Sequence, residues 1–482
     1  MMPALRVLYF ILVVQLLLAG CASPKDAPPF EVRPDLLVDL TAHTIVRLHV
    51  LTWREKAPPR EPFPAAGFRF NGFAVVPDEK PGTAAGAVLT EDQLAVWLRG
   101  LRDGGAIALM SPTFTIWSDR SAGTADREEV NYVSNWAFSK GAAMPVYATR
   151  RPGMNVELRP LVLTGTDHVL LRVAATAQRI GLRDYTVSGG FRIKRGKAAA
   201  PLQVDLPHEY MQRLTTAVPV RRGASRILLH AVTQRRTPAG GGVRDHLFYI
   251  ATLTVVGKEP DYSESEPAPM PETYALDLFW WQAAPEPETP PPAETVADVL
   301  RWLREHPEPA VEMIGVAAIA GEPAGVEYSE ARDYVAGLPE EPAEKRTFDL
   351  RTAHSGIWLE MRPADNASRA LAVTGRASEI GPARVIEQTR PSLRTAAGED
   401  VSERYTFESH GGANAEFSHL VGLNSPDPVW LSPHWRHFAD DPAAPPSRVV
   451  GFMALSVRAL PDAAAAPAGP DERSFDSPPA SR

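Results

Sequence analysis

Eight residues recur in this chain 203 positions apart. Gly153-Met154-Asn155-Val156-Glu157-Leu158-Arg159-Pro160 and Gly356-Ile357-Trp358-Leu359-Glu360-Met361-Arg362-Pro363 share the pattern G-x-x-φ-E-φ-R-P. A glycine start, apolar residues at alternate positions and a proline stop describe a β-strand with one buried face, because strand side chains alternate with period two and proline cannot continue a ladder. An eight-residue match arises by chance as well as by duplication, and the surroundings decide between the two.

The surroundings repeat as well. The apolar strand around Leu48, Val50 and Trp53 is answered by Leu276, Leu278 and Trp281. A helix opening at Thr90-Glu91-Asp92, with Leu94, Trp97, Leu98 and Leu101 on one face, is answered by Val296, Val299, Leu300, Trp302 and Leu303. Asn131-Tyr132-Val133 corresponds to Asp333-Tyr334-Val335, and the closing strands at residues 226–231 and 249–256 correspond to 428–433 and 451–458. Those closing strands are near-continuous apolar runs, which predicts burial on both faces or a place inside a sandwich. Residues 65–88 have no counterpart in the second half.

These matches predict a β-rich α+β chain of two tandem homologous domains of antiparallel sheet, each with one packed helix. The expected layout is a signal peptide at 1–20, a flexible tether at 21–43, a first domain at 44–258, a Pro-rich linker at 259–271, a diverged second domain at 272–460 and a disordered tail at 461–482. The 47 prolines cluster between these blocks, where a residue without an N–H costs no ladder hydrogen bond.

The net charge of −8 conceals an asymmetry: residues 39–258 hold 29 Lys+Arg against 18 Asp+Glu, and residues 259–482 hold 18 against 37. Two independently solvated surfaces account for this, as does docking of the basic half on the acidic half or on an acidic partner such as an anionic envelope glycan. Glu157 with Arg159, and Glu360 with Arg362, stand two apart on one strand face, where they are expected to pair.

At the amino terminus, Arg6 precedes an apolar run from Val7 to Ala19 that is too short for a spanning helix. Leu18-Ala19-Gly20-Cys21 resembles the lipobox of bacterial lipoproteins. The resemblance implies cleavage before Cys21, acylation of that residue, which is the single cysteine of the chain, and attachment to a membrane through the lipid. With Ala22 and Ser23 following, it implies a periplasm-facing place at the outer membrane.

The first half carries a second resemblance. A helix, a strand leading into Ser111-Pro112-Thr113, the stretch around Val130-Asn131-Tyr132-Val133, the Gly153–Pro160 strand, and Thr215 to Gly223 before a final strand pair follow the order of the secretin domain of type II and type III secretion. The likeness covers roughly residues 90–258, with a fainter echo at 294–460. It implies a secretin-like component or accessory of an outer-membrane secretion or pilus assembly. The chain departs from that family in holding two such stretches and no run of small domains upstream.

Catalytic motifs are missing. The sequence holds no G-x-S-x-G, no G-x-x-x-x-G-K-[ST], no H-E-x-x-H and no C-x-x-C, so a structural or interaction role is expected rather than an enzyme, with no cofactor. His434 and His437, near Asp440 and Asp441, are weak metal candidates that would point instead to a metal-dependent hydrolase. Arg192, Lys194, Arg195 and Lys197, with Arg221 and Arg222, form basic hairpin tips that suit solvent, anionic head groups or the acidic half. Envelope proteins or a glycan are the expected partners, the latter as the alternative reading of a periplasmic binding module; an exported lipoprotein does not meet nucleic acid.

Overall fold

Alternation along the first strand sets the layers. In β1 (His43–Ala57), Val46, Leu48 and Val50 are fully buried on one side, while Leu51 faces the other side and is buried too. The structure, a computed structural model, describes residues 38–57, 83–139, 142–187, 202–236, 242–256, 271–282, 311–337, 349–363, 370–391, 402–422, 429–432 and 451–460. From Val38 onward the chain belongs to one unit.

Its first half continues with β2 (Val88–Thr90), α1 (Glu91–Asp103), β3 (Ile107–Met110), β4 (Thr113–Trp117), β5 (Ala122–Arg127), β6 (Val130–Ser139), β7 (Ala142–Arg150), β8 (Gly153–Val162), β9 (His168–Val187), β10 (Leu202–Arg221), β11 (Ala224–Arg236) and β12 (Gly242–Val256). The second half supplies β13 (Thr273–Gln282), β14 (Val311–Ile319), β15 (Ala324–Gly337), β16 (Asp349–Pro363), β17 (Ala370–Pro391), β18 (Ser402–Gly422), β19 (Val429–Ser432) and β20 (Gly451–Ala459).

All pairings are antiparallel. A ten-stranded sheet runs β19-β20-β13-β14-β11-β12-β1-β3, with β2 added at β11 and β4 at β1, and an eight-stranded sheet runs β18-β17-β16-β15-β10-β9-β8-β5. The sheets face each other across one apolar core that draws Leu48, Leu158, Leu171 and Leu214 from the first half and Leu276, Val316, Leu359 and Val373 from the second. Each half thus contributes to both sheets.

The helix forms a third layer. Thr90 caps it, accepting from the Gln93 N–H while the Gln93 side chain accepts from the Thr90 N–H, which satisfies two otherwise orphaned donors. Leu94, Trp97 and Leu101 pack with Leu51, Ile227, Phe248 and Ile250 on the outer side of the ten-stranded sheet, each apolar side chain adding about 1.5–3 kcal/mol. The apolar runs of β11 and β12 are therefore buried on both faces, with Leu229 and Tyr249 toward the core and Ile227 and Phe248 toward the helix. The second expected helix, near residues 294–303, lies outside the described residues, as do the signal peptide, most of the tether, most of the linker and the tail.

The two octapeptides are β8 and the end of β16, and they are aligned. Cross-strand pairs put Gly123, Glu157, Ala174, Thr215, Gly325, Glu360, Thr374 and Ser418 in one row across the eight strands. Glu157 and Glu360 therefore stand four strands apart at one level. The contacts match: Asn131 pairs with Thr149 and Asp333 with Thr352, each threonine hydroxyl donating to its partner's side-chain oxygen at 2.6 Å. Asp119 (φ 62) and Gly321 (φ 85) take a left-handed backbone at the turns before β5 and β15.

One difference is clear. β15 and β16 pair as one ladder with a register shift only between Val335 and Gly337, whereas the first half divides the same hairpin into β5–β8 and β6–β7. Pro152 stands at the break, its carbonyl accepting from the Glu128 N–H at 2.9 Å, and its missing N–H ends the ladder there.

Candidate functional site

The most informative place is the seam where the halves meet. In the eight-stranded sheet, His208–Thr215 of β10 pairs with Gly325–Arg332 of β15; in the ten-stranded sheet, Leu229–Gln234 of β11 pairs with Val311–Val316 of β14. Both seams join the last strands of the first half to the early strands of the second.

Buried polar groups lock this junction. Asp277 of β13 is fully buried and accepts from the Thr83 N–H at 2.9 Å and the Thr83 hydroxyl at 2.6 Å. The next residue, Ala84, donates its N–H to His230 Nδ1 at 3.0 Å. That leaves His230 Nε2 to carry the proton toward His246 Nδ1, 3.2 Å away. His230 lies flat on Phe248, and Trp53 stacks on His246. Burial first, and the neighbouring His246 second, push the His230 pKa well below the ordinary imidazole value. The described end of the unmatched 65–88 segment is thus pinned by both halves.

Across the seam, Arg172 of β9 meets Glu322 of the β14–β15 turn at 2.6 Å, and both side chains are buried. Burial lowers the Arg172 pKa and Glu322 opposes that shift. The Thr216 hydroxyl donates to the Ala317 carbonyl, tying the sheets together, and Arg213 faces Glu327 at 3.5 Å. His208 and Arg332 converge on Glu330.

Beyond the seam the sheets end, among the described residues, in unpaired edges. Among the described residues, β5 pairs with β8 alone and β18 with β17 alone, while β3 and β4 pair only with β1 and β19 only with β20. Ile107 and Trp117 are 64% and 57% exposed on β3 and β4, and Leu420 is 68% exposed on β18. Ala217, which holds the level of Leu420 on the seam strand β10, is fully buried. Edge strands carry unpaired backbone groups and invite addition of another strand.

Of the residues singled out in the sequence, Arg221 donates to Asp167 at 2.5 Å, and the Arg222 N–H donates to the Asp167 carbonyl at 2.8 Å. Both are held within the β9–β10 end of the sheet. Arg192, Lys194, Arg195 and Lys197 lie outside the described residues, as do His434, His437 and Cys21, so nothing brings them to this site. Among the described residues no group of three or more His, Cys, Asp or Glu could hold a metal ion, and no helix is long and apolar enough to cross a membrane.

The pairing expected within each octapeptide holds in one copy. Arg362 donates to Glu360 at 2.6 Å, but Arg159 turns to Asp119 at 2.9 Å and leaves Glu157 exposed. The left-handed turn at Asp119 places a carboxylate there; at the same turn of the second half Gly321 has none. The sequence reading missed Asp277, Arg172 and Glu322. Asp277 alternates with Leu276 and Leu278 as a solvent-facing residue would, and nothing local shows that Thr83 covers it.

Neither the protein-family profiles nor the curated proteins contain a match to this chain. Among solved structures, the cryo-electron microscopy structure of the type IV competence pilus secretin PilQ of V. cholerae is similar over 45% of this chain and 58% of that one, with 13% identity and a TM-score of 0.19. The matched stretch thus spans less than two thirds of the secretin, and the superposition is below the level at which two chains share a fold.

Proposed function

We propose that this protein is a structural component or accessory of a cell-envelope assembly, secretin-like in its strand order and lipid-anchored through Cys21, and that copies of it add head to tail through their sheet edges. The observation that carries this reading is the internal seam. It joins the end of one unit to the start of the next in both sheets at once, and such a heterologous joint leaves the complementary edges unpaired, among the described residues, at the two ends of each sheet. The matched rows and turns support descent of the halves from one duplicated unit.

The seam also sets the register of addition. Thr215 stands opposite Gly325, and the same row places Ser418 at the level of Thr215 and Gly123 at the level of Gly325. Ser418 of one copy would then face Gly123 of the next, with Glu416 facing Ala125. Sizing of the detergent-extracted protein tests the reading: multimers that survive dilution support it, and a monomer at all concentrations ends it.

A further inference from the structure

The outer side of the eight-stranded sheet, away from the core, carries an open groove of about 590 Å³ over β10 and β15–β17. Its floor is kept low by small side chains: Ser329, Gly356 and Ser378 follow one another on adjacent strands, with Ala331 beside them. Along one wall runs a row of Glu327, Trp358, Arg376 and Glu416, which Arg213 continues beyond the lining, one residue from each of five successive strands. At a strand spacing of about 4.8 Å the row is about 19 Å long.

Two carboxylates of the groove are held in place. Glu327 accepts from the Ser329 hydroxyl at 3.1 Å and lies 3.5 Å from Arg213. Glu209, on the opposite wall, is 3.0 Å from Arg150 and accepts from Gln178 at 3.1 Å. Trp358 is half-buried, so part of its ring meets the groove.

The first half supplies an internal control. Its positions in the same row are Ala125, Asn155 and Thr176, and the sheet forms there equally well. The glutamate, tryptophan and arginine of the second half are therefore not required to build the strands.

We propose that this groove binds a short neutral or amino-bearing oligosaccharide. A half-exposed indole offers an apolar face for the C–H side of a pyranose ring. The held carboxylates of Glu327 and Glu209, with the exposed Arg376 guanidinium and Glu416 carboxylate, offer acceptors and donors to successive hydroxyl groups. Three lining carboxylates, Glu209, Glu327 and Glu416, against the lining Arg376 disfavour a polyanionic chain.

Titration calorimetry of the detergent-solubilised full chain with chito-oligosaccharide, cello-oligosaccharide and oligogalacturonate tests this. Binding of either of the first two and none of the third is expected. Trp358→Ala and Ser378→Tyr, which fills the floor instead of emptying it, should each weaken binding by about tenfold or more. Asn155→Ala, at the Trp358 level of the first half, should leave it unchanged. Should Trp358→Ala fail to fold, Ser378→Tyr together with Arg376→Ala at an exposed position carries the test. The proposal is overturned if neither neutral nor amino-bearing sugar binds, if oligogalacturonate binds more tightly, or if Asn155→Ala weakens binding as much as the groove variants do.

Discussion

Gly153 and Gly356 lie at one level of the eight-stranded sheet, four strands apart, and each is pressed against a carbonyl of the strand before it. A Cβ on Gly153 would stand 1.9 Å from the Asp126 oxygen, and one on Gly356 would stand 2.2 Å from the Tyr328 oxygen. Their φ angles of 154° and 132° are also ones that L side chains rarely adopt.

Substitution at either glycine should accordingly be costly. Gly356→Ala is expected to lower unfolding stability by about 3 kcal/mol or more, from backbone strain of about 1–3 kcal/mol and a backbone clash besides. Gly223→Ala, at φ 68 but with open space around it, should lose only about 1–2 kcal/mol. Urea midpoints of the two variants at one temperature check the ranking, and equal losses would contradict it.

Acid should weaken the fold through His230. The folded state holds this imidazole neutral, while the unfolded chain takes up a proton near pH 6.5. Its contribution is complete above that pH and declines as pH falls below it. In His230→Phe the Ala84 N–H loses its acceptor, costing about 1–3 kcal/mol at pH 7.5, yet the further decline between pH 6.5 and 5 should shrink. Chemical denaturation at both pH values measures this; an undiminished acid slope in the variant would assign the effect to other groups.

The Arg172–Glu322 pair should be worth far more broken than replaced. Glu322→Ala leaves a guanidinium buried without its carboxylate and is expected to cost about 3–5 kcal/mol, whereas Arg172→Met with Glu322→Leu should recover most of that loss. Denaturation of the single and double variants closes the comparison, and a double variant no better than the single one would refute it.

Copies joined in the inferred register bring Ala125 of one chain opposite Glu416 of another. Mild oxidation of an Ala125→Cys, Glu416→Cys chain should produce covalent dimers and longer ladders on a denaturing gel. Ala125→Cys with Ala415→Cys, one residue out of that register, should not. Equal cross-linking by both pairs would show that the register is wrong even if copies associate.

The parts of this fold legible in the sequence are those coded locally. Alternate apolar positions between Gly153 and Pro160 mark a strand, and Thr90 followed by Glu91 and Asp92 marks a helix start just before its first buried leucine. Pairing across strands is coded at a distance: Asp277 reads as exposed until Thr83, 194 residues earlier in the chain, closes over it. Arg159 likewise reads as the partner of Glu157, but the turn at Asp119 takes it instead. The groove did leave a trace, at the variable position of the octapeptide where Asn155 is replaced by Trp358, but a difference between two otherwise matched strands says nothing until their rows are aligned.

The break at Pro152 gives the two halves unlike arms, one jointed and one fused. Any assembly that extends these sheets copy after copy would present jointed and fused arms by turns around or along its length. Its strand ladder would repeat with every unit, but its true period would be two units, and a partner that grips only the jointed arm would bind at every second position.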